Sequence, residues 1–484
     1  MQTIDFVIFA VFTLGVVLFG CSFFRQVGSA EEFAHAGRSL PGWVVGMSIF
    51  ATYVSSISYI GYPGKAFASD WNAFVFSLSI PVAAYFAARY FVPFYRFGGS
   101  VSAYAFLEEK FGRWSRLYAS TCYLLTQVAR MGSILYLLAM PMHILMGWDM
   151  TAVIVATAAL VVVYSMLGGL KAVIWADAIQ GIILIGGALL CLAILLFSMP
   201  EGPLQAFRLA ADAPAGNKFS LGSLGGSLTE STFWVCLVYG IFINLQNYGI
   251  DQNYVQRYHT AKSLRAARFS VLFGGYLFIP VSALFFLIGT ALYSYYAAGL
   301  APLPAAIEAH PDYVFPYFIV SSLPVGLRGL LIASIFAAGM STLSTSVTSA
   351  ATVILKDFVE RTPLTTHLSP LSTLKISSVA IGVLGMLTAI AMMGVKSIVD
   401  AWWILSGIFS GGMLGLFLLG ILPRRTSRGG AIVGCVAGIA VIGWISLASP
   451  LGLPGPHLHE YLAIVLGTTT IFLIGLLATL LHKR

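Results

Sequence analysis

The chain has 484 residues, of which 58% are hydrophobic and 9% carry a charge. Its mean hydropathy is +0.90, whereas an average soluble domain has about 25% charged residues. This composition excludes a soluble globular protein and predicts an all-α integral membrane protein, because helices satisfy their backbone hydrogen bonds within one segment. The formal net charge is +8, but the basic residues are dispersed over many short joints, which argues against nucleic-acid binding.

Apolar runs long enough to cross about 30 Å of hydrocarbon recur along the whole chain. The first run lacks a preceding basic residue and a small-residue cleavage site, so we expect a retained helix rather than a secretory signal. About thirteen transmembrane helices are predicted, at approximately residues 4–24, 41–62, 70–95, 115–146, 151–168, 174–199, 231–251, 269–297, 315–350, 375–395, 399–421, 429–448 and 461–481.

The basic residues predict the orientation, since Lys and Arg near span ends are held on the cytoplasmic side. With the N-terminus outside, the outer joints contain Lys65, Arg208, Lys218, Arg328 and Lys396. The inner joints then contain Arg25, Arg38, Arg96, Lys110, Arg113, Arg116, Lys171, Arg257, Lys262, Arg265, Arg268, Lys356, Arg361, Arg424, Arg425, Arg428, Lys483 and Arg484. This asymmetry predicts a multi-pass protein of the plasma membrane with its N-terminus outside and its C-terminus in the cytoplasm.

The second span is interrupted by polar residues and helix breakers. It contains Thr52, Ser55, Ser56 and Ser58, followed by Gly61, Pro63 and Gly64. A broken helix is tolerated in a membrane where its freed backbone groups face protein or a water-filled cavity, so the stretch predicts a binding site near the bilayer midplane. The structural alternative is that the hydroxyls bond back to their own helix or allow close helix packing.

A second interrupted span covers residues 239–258. It contains Asn244, Gln246, Asn247, Tyr248, Gly249, Asp251 and Gln252. The two interrupted spans open successive groups of about five spans, which is typical of an inverted-repeat transporter. We therefore divide the chain into an extra N-terminal helix and joint (1–40), a first five-helix repeat (41–199), an extracellular loop (200–228), a second repeat (229–421) and two C-terminal helices (422–484).

Hydroxyl side chains form a stripe on the span that covers residues 331–358. Ser341, Ser344, Thr345 and Thr348 follow the spacing i, i+3, i+4 and i+7, so they share one helical face. Neutral oxygens of this kind suit a small monovalent cation, because Ca²⁺ sites are richer in carboxylates. A purely structural Ser/Thr face is the alternative.

Two isolated charges lie within spans. Arg130 is near the middle of a long span, beyond the reach of snorkelling, so it must face the interior or a ligand. We favour a substrate carboxylate as its partner, because few intramembrane carboxylates are available for a salt bridge. Asp177 lies about one turn into its span, where it could bind a cation, relay a proton or brace a loop.

Four segments, SIFATYVSSISYIGYPGKAFASDW, GGLKAVIWADAIQG, DQNYVQRY and FAAGMSTLSTS, resemble the solute:sodium symporter family over essentially the whole chain. Within the family, the chain is most similar to bacterial sodium/sialic acid symporters. The resemblance implies a LeuT-type fold, in which spans two to eleven form a 5+5 inverted-repeat core with broken first and sixth core helices.

The resemblance also implies the site residues. A principal sodium site would use Ala51, Val54, Ala338, Ser341 and Thr342. A second sodium site would use Asp177, Ser341, Ser344 and Thr345. The substrate pocket would use Tyr53, Ser55, Ser58, Ser77 and Arg130, to which we add Gln246 and Tyr248 from the second interrupted span. Tyr53 and Ser77 depart from the family pattern, which expects a smaller hydroxyl and a glutamine there.

These features predict a secondary active transporter that moves one or two Na⁺ with a small organic solute by alternating access. Arg130 favours a carboxylate-bearing solute such as sialic acid or a sugar acid. The alternatives are a sodium-coupled symporter of sugars or other nutrients and a proton-coupled transporter that uses Asp177. An enzyme is disfavoured because the histidines show no catalytic spacing. The expected partners are Na⁺, the solute and the lipid bilayer.

Overall fold

The computed structural model describes residues 2–98, 100, 102–360, 369–395, 398–422, 426–448 and 454–481. Within these ranges the ordered elements are helices, and the one strand-type pairing is an isolated bridge between Leu40 and Ala261. Some residues used to predict the orientation lie outside the described ranges, namely Arg361, Lys396, Arg424, Arg425, Lys483 and Arg484.

The α-helices are numbered α1 to α21 in chain order. They are α1 (Thr3–Cys21), α2 (Ala30–His35), α3 (Gly42–Tyr53), α4 (Tyr62–Ala68), α5 (Val75–Leu78), α6 (Ile80–Phe86), α7 (Val92–Gly98), α8 (Ala105–Phe111), α9 (Arg113–Met146), α10 (Met150–Phe197), α11 (Leu204–Ala211), α12 (Phe233–Ile250), α13 (Gln252–Thr260), α14 (Leu264–Ala297), α15 (Ala305–Glu308), α16 (Pro311–Ser322), α17 (Leu327–Val353), α18 (Pro370–Ala391), α19 (Ile398–Ile421), α20 (Arg428–Leu447) and α21 (Leu462–Leu481).

Among the described residues, eleven helices are long and apolar enough to cross a membrane, or up to twelve when the bent pair α3 and α4 counts as one span. The difference from thirteen lies in α10. The predicted spans 151–168 and 174–199 both fall within this 48-residue helix, which at 1.5 Å per residue is about 70 Å long. This length exceeds twice the hydrocarbon thickness, so α10 is long enough for two spans. Counting α10 as two spans and the bent pair as one gives thirteen, and this number stays a prediction.

A kink at Gly169 interrupts α10. Gly169 has φ 57° and ψ −163°, a backbone conformation that is essentially restricted to glycine. A β-carbon at this position would lie 3.0 Å from Cα and 3.1 Å from the carbonyl oxygen of Phe33. Gly169 therefore provides both the backbone angle and the space that α2 needs to pack against α10.

Both predicted helix interruptions are present. Helix α3 ends at Tyr53, Val54 is extended (φ −83°, ψ 105°), and a π-type turn over Ile57–Gly61 leads into α4. The two parts of this span meet at a bend of 57°. Helix α12 ends at Ile250, Asp251 is extended (φ −78°, ψ 124°), and α13 follows.

Helix α17 lies at the centre of the bundle. In its apolar stretch, 94% of the residues are buried, compared with 22% in the stretch Thr3–Arg25 and 39% in α18. The hydroxyl stripe on α17 is therefore buried within the protein.

The predicted outer loop 200–228 is attached to α4 and to the residues that follow it, and it contains one short helix, α11. Lys218 Nζ donates to the carbonyl oxygen of Phe67 over 2.8 Å, and Trp71 N donates to the carbonyl oxygen of Ser220 over 2.9 Å. The division of the chain into two repeats, a loop and extra helices stays a prediction.

The kink gives a first prediction. Gly169→Ala should lower the melting temperature of the purified protein in detergent, because a residue forced into this backbone region costs about 1–3 kcal/mol and its methyl group would meet Phe33. Gly186→Ala in the same helix is the matched control, since its β-carbon would meet no atom within 4 Å and alanine favours helix. Equal melting temperatures for the two variants would contradict the role of Gly169.

Candidate functional site

Four oxygens from two helices meet at the first helix break. Ser341 Oγ lies 3.1 Å from the carbonyl oxygen of Ala51 and 3.0 Å from that of Ala338. Thr342 Oγ1 lies 3.5 Å and 3.3 Å from the same two carbonyl oxygens. Ala51 is in the last turn of α3, where carbonyls lack partners within the helix. Val54, the fifth predicted ligand, is the extended residue that ends this helix.

Part of the hydroxyl stripe matches the structural alternative, because three of its hydroxyls bond back to their own helix. Ser344, Thr345 and Thr348 each donate to a carbonyl oxygen three or four residues earlier in α17, over 2.9 to 3.2 Å. The residues that distinguish a site from a packing face are therefore Ser341 and Thr342, because their hydroxyls also contact a carbonyl of another helix.

A fully buried ion pair joins Asp177 to Arg257. Arg257 Nη2 lies 2.8 Å from Asp177 Oδ2 and donates to Thr345 Oγ1 over 2.6 Å, while Arg257 Nε donates to Ser48 Oγ over 2.8 Å. The prediction that Arg257 lies in an inner joint is wrong, because Arg257 is part of α13 and is fully buried. Its position near the end of α13 resembles that of a loop cation, whereas the side chain points back into the bundle.

The ion pair leaves one oxygen of Asp177 without a partner. Oδ2 also accepts from Ser48 Oγ over 2.5 Å, but Oδ1 is buried and makes no hydrogen bond with the described residues. Ser165 Oγ is likewise buried without a partner. An unpaired carboxylate oxygen in a buried site is costly unless a cation or a donor compensates for it, so the residues present fit a sodium ion here.

Arg130 lies on a central cavity of about 650 Å³. Its Nη2 donates to the carbonyl oxygen of Thr52 over 2.6 Å, and its guanidinium carbon lies 5.9 Å from the ring centroid of Trp402. No carboxylate of the described residues forms an ion pair with it. The cavity is lined by Tyr53, Ser55, Ile57, Ser58, Tyr62, Phe76, Thr126, Gln127, Arg130, Tyr239, Ile243, Asn247, Asp251, Tyr254, Trp402, Trp403 and Ser406.

The predicted substrate residues divide into two groups. Four of them, Tyr53, Ser55, Ser58 and Arg130, line the cavity together. The other three lie outside its lining. Ser77 Oγ is 2.7 Å from Ser282 Oγ, while Gln246 and Tyr248 are buried with polar atoms that lack partners.

Several lining residues were not predicted from the sequence. Asn247 and Asp251 belong to the second interrupted span, so their polar side chains within an apolar run gave a signal. Thr126, Gln127, Trp402 and Ser406 come from two otherwise regular helices and gave no signal. The expectation that few intramembrane carboxylates are available to Arg130 is also corrected, because Asp251 lines the same cavity as Arg130.

Tyr53 connects the two broken helices. Its hydroxyl donates to Asn244 Oδ1 and accepts from Asn247 Nδ2 over 3.1 Å. Its ring contacts those of Tyr248, Tyr254 and Phe278 at centroid distances of 5.6, 5.3 and 5.1 Å. The phenol that departs from the family pattern therefore forms one wall of the cavity.

An aromatic layer lies between the central cavity and a second cavity, which we call the vestibule. Trp403 and Tyr239 line the cavity, and their ring centroids lie 5.0 and 4.8 Å from that of Tyr461. Tyr461 lines the vestibule, a second cavity of about 1160 Å³ that also contains Lys65 and Asp70. These rings lie between the two cavities.

Backbone hydrogen bonds join the segment that precedes α3 to the end of α13. Leu40 N donates to the carbonyl oxygen of Thr260, and Lys262 N donates to that of Leu40, each over 3.1 Å. Arg96 Nη1 donates to the carbonyl oxygens of Tyr258 and Ala261 over 2.6 and 2.9 Å. Helices α3 and α13 are thereby tied into one unit at the N-terminal end of α3 and the C-terminal end of α13.

Residues 33–438 match the model of the sodium:solute symporter family. The chain belongs to this family. It is 32% identical to the sodium/sialic acid symporter SiaT of Proteus mirabilis, over 98% of this chain and 94% of that protein. It is 30% identical to a sodium-coupled monocarboxylate transporter 2 of Danio rerio, over 93% of this chain and 72% of that protein.

A solved structure of a Na⁺-coupled sialic acid symporter, in a substrate-bound outward-open state, superimposes with a TM-score of 0.90. Its sequence identity is 30%, and the match covers 99% of this chain and 98% of that chain. The comparisons confirm the predicted family resemblance and the LeuT-type fold. As a member of this family, the protein is a multi-pass membrane transporter and not an enzyme.

The buried ion pair gives a second prediction. Arg257→Gln should lower the melting temperature strongly in sodium-free choline buffer, because removing one partner of a buried pair costs about 3–5 kcal/mol. The double variant Arg257→Gln with Asp177→Asn should recover part of the loss, since the uncompensated carboxylate is gone. Arg208→Gln is the control, because its pair with Glu201 is largely exposed. A double variant that is less stable than Arg257→Gln alone would contradict this assignment.

Proposed function

We propose that this protein is a sodium-coupled symporter of a carboxylate-bearing solute, such as sialic acid or a sugar acid, and that it works by alternating access. The observation that carries the proposal is the oxygen cluster at the first helix break, where two hydroxyls of α17 face a carbonyl of α3. A fixed cation on the central cavity supports the anionic solute. The relatives named above also transport acids.

The principal sodium ion would bind the carbonyl oxygens of Ala51, Val54 and Ala338 and the hydroxyls of Ser341 and Thr342. These atoms belong to the first broken helix and to α17, so the ion would hold the two together. Arg130 donates to the carbonyl oxygen of Thr52, the residue after Ala51. Sodium and solute affinity are then coupled through one short backbone segment, and the coupling is reciprocal.

A second sodium ion would use the unpaired Oδ1 of Asp177 with Ser341, Ser344 and Thr345. Arg257 would hold Oδ2 and the hydroxyl of Thr345, so it orients the ligands and leaves one carboxylate oxygen for the ion. If two Na⁺ accompany one carboxylate, one net positive charge enters in each cycle. Each 100 mV of membrane potential then adds about 2.3 kcal/mol to solute accumulation.

Alternating access would open one closure at a time. The aromatic layer would part towards the vestibule on the outside. The unit formed by α3 and α13 would move away on the inside, after the principal sodium ion has left the break. We assign the vestibule to the outer face, with the N-terminus outside and the C-terminus in the cytoplasm of a bacterial cell.

A proton-coupled transporter that uses Asp177 is the second candidate. The observation that favours it is the buried carboxylate with one free oxygen, which a proton could occupy as well as a sodium ion. Solute uptake into proteoliposomes driven by a pH gradient without sodium would support it. Uptake that requires sodium at every pH would exclude it.

The sodium site gives a third prediction. Ser341→Ala should raise the sodium concentration for half-maximal thermal stabilisation by roughly tenfold or more, because a hydrogen bond or ligand to a charged group is worth about 1.5–3 kcal/mol. Ser334→Ala on the same helix is the matched control, since its hydroxyl donates to the carbonyl oxygens of Leu330 and Ile183, over 2.9 and 3.4 Å, and not to that of Ala51. The site would be refuted by a Ser341→Ala variant that keeps the wild-type sodium dependence.

Arg130 gives a fourth prediction. In sodium buffer, Arg130→Gln should lose the additional stabilisation by N-acetylneuraminate or gluconate and the uptake of these acids into proteoliposomes. Stabilisation by sodium alone should remain. Arg130→Lys should bind the acids more weakly than wild type, because lysine keeps the charge but loses the planar fork that matches a carboxylate. Acid binding of wild-type strength in Arg130→Gln would contradict the role of Arg130.

A further inference from the structure

The central cavity contains a second charged side chain, the carboxylate of Asp251. This residue is the extended link between α12 and α13, it is 3% exposed, and it lines the same cavity as Arg130. Neither Arg130 nor Arg257 forms an ion pair with it. A buried carboxylate without an ion-pair partner is rare within a membrane bundle and marks a functional position.

Helix capping does not account for the charge of Asp251. Its Oδ1 accepts from Asn253 N over 2.8 Å and so caps the first turn of α13. An asparagine caps a helix about as well, so the negative charge is not required for this contact. The one hydrogen bond that the Asp251 carboxylate accepts from the described residues is this contact through Oδ1.

The other groups around the cavity fit a solute rich in hydroxyl groups. Ser55, Ser58, Gln127 and Asn247 offer both donors and acceptors, and Tyr254 and Trp402 offer ring faces. A solute that binds here displaces the water that solvates Asp251. Because an unpaired charge is costly in a dry site, the solute must bring hydrogen-bond donors of its own to this carboxylate.

We propose that Asp251 is a specificity-determining residue, which selects acids that carry hydroxyl, amide N–H or ammonium donors away from their carboxylate. The inference rests on the proposed function, in which the solute carboxylate binds near Arg130. Asp251 rejects plain alkyl monocarboxylates, because these leave it without a donor. A site built to hydrogen-bond a donor rejects the analogue that lacks it far more strongly than an apolar pocket rejects a missing methylene group.

The test compares two acids on the purified protein in sodium buffer. The probes are gluconate, which carries several hydroxyl groups, and propionate, which has none, and the readout is the concentration that gives half-maximal thermal stabilisation. In the wild-type protein, propionate should need at least about 100-fold more than gluconate. Asp251→Asn, which keeps the helix cap, should reduce this ratio to tenfold or less by weakening gluconate and strengthening propionate.

The melting temperature of Asp251→Asn in sodium alone shows whether the variant is folded, and Asp251→Glu, which keeps the charge, should retain a preference for gluconate. Equal potencies of the two acids in the wild type, or an unchanged ratio in Asp251→Asn, would overturn the role of Asp251 alone. If neither these acids nor N-acetylneuraminate stabilises the wild-type protein in sodium, the proposed function fails and this inference fails with it.

Discussion

The structure depends on the contact between the hydroxyls of α17 and the carbonyl that α3 frees where it ends. A helix that stops inside a membrane leaves carbonyl oxygens without partners, and hydrocarbon cannot provide them. Here Ser341 and Thr342 lie within 3.5 Å of the carbonyl oxygen of Ala51. The free carbonyl of α3 and the hydroxyls of α17 are both polar groups in an apolar bundle, and each satisfies the other by hydrogen bonding. The same arrangement concentrates oxygen atoms, and it is where we propose that the principal sodium ion binds.

The remaining features of the site follow from that contact. Arg130 donates to the carbonyl oxygen of Thr52 in the same backbone segment, which connects the guanidinium group of the cavity to the proposed sodium ligands. Arg257 reaches Asp177 and Thr345 from the second broken helix, so both interrupted helices converge on α17. In the proposed mechanism, coupling between ion and solute requires no long-range pathway, because Arg130 contacts the carbonyl oxygen of Thr52, which lies between Ala51 and Val54 in the chain.

Much of this arrangement could be predicted from local sequence patterns. The breaks at Val54 and Asp251 were indicated by polar residues and glycines within apolar spans, and the stripe on α17 by the spacing of Ser341, Ser344 and Thr345. These signals lie within one or two helical turns. The family resemblance added the pairing of α3 with α17, which no local pattern contains.

The contacts that the sequence did not reveal join residues far apart in the chain. Arg257 pairs with Asp177, 80 residues away, and its place near a helix end looked like that of a loop cation. Ser77 is bonded to Ser282, 205 residues away, which moves it out of the cavity lining. Asp251 was visible as a polar residue at a break, but its place on the same cavity as Arg130 depends on how α9 and α13 pack.

The most direct test of the sodium site is a high-resolution crystal structure determined twice, from crystals grown in sodium chloride and in choline chloride. The account predicts a density peak in sodium only, coordinated by the carbonyl oxygens of Ala51, Val54 and Ala338 and by the hydroxyls of Ser341 and Thr342. A site without density in sodium, or an identical peak in both salts, would contradict it.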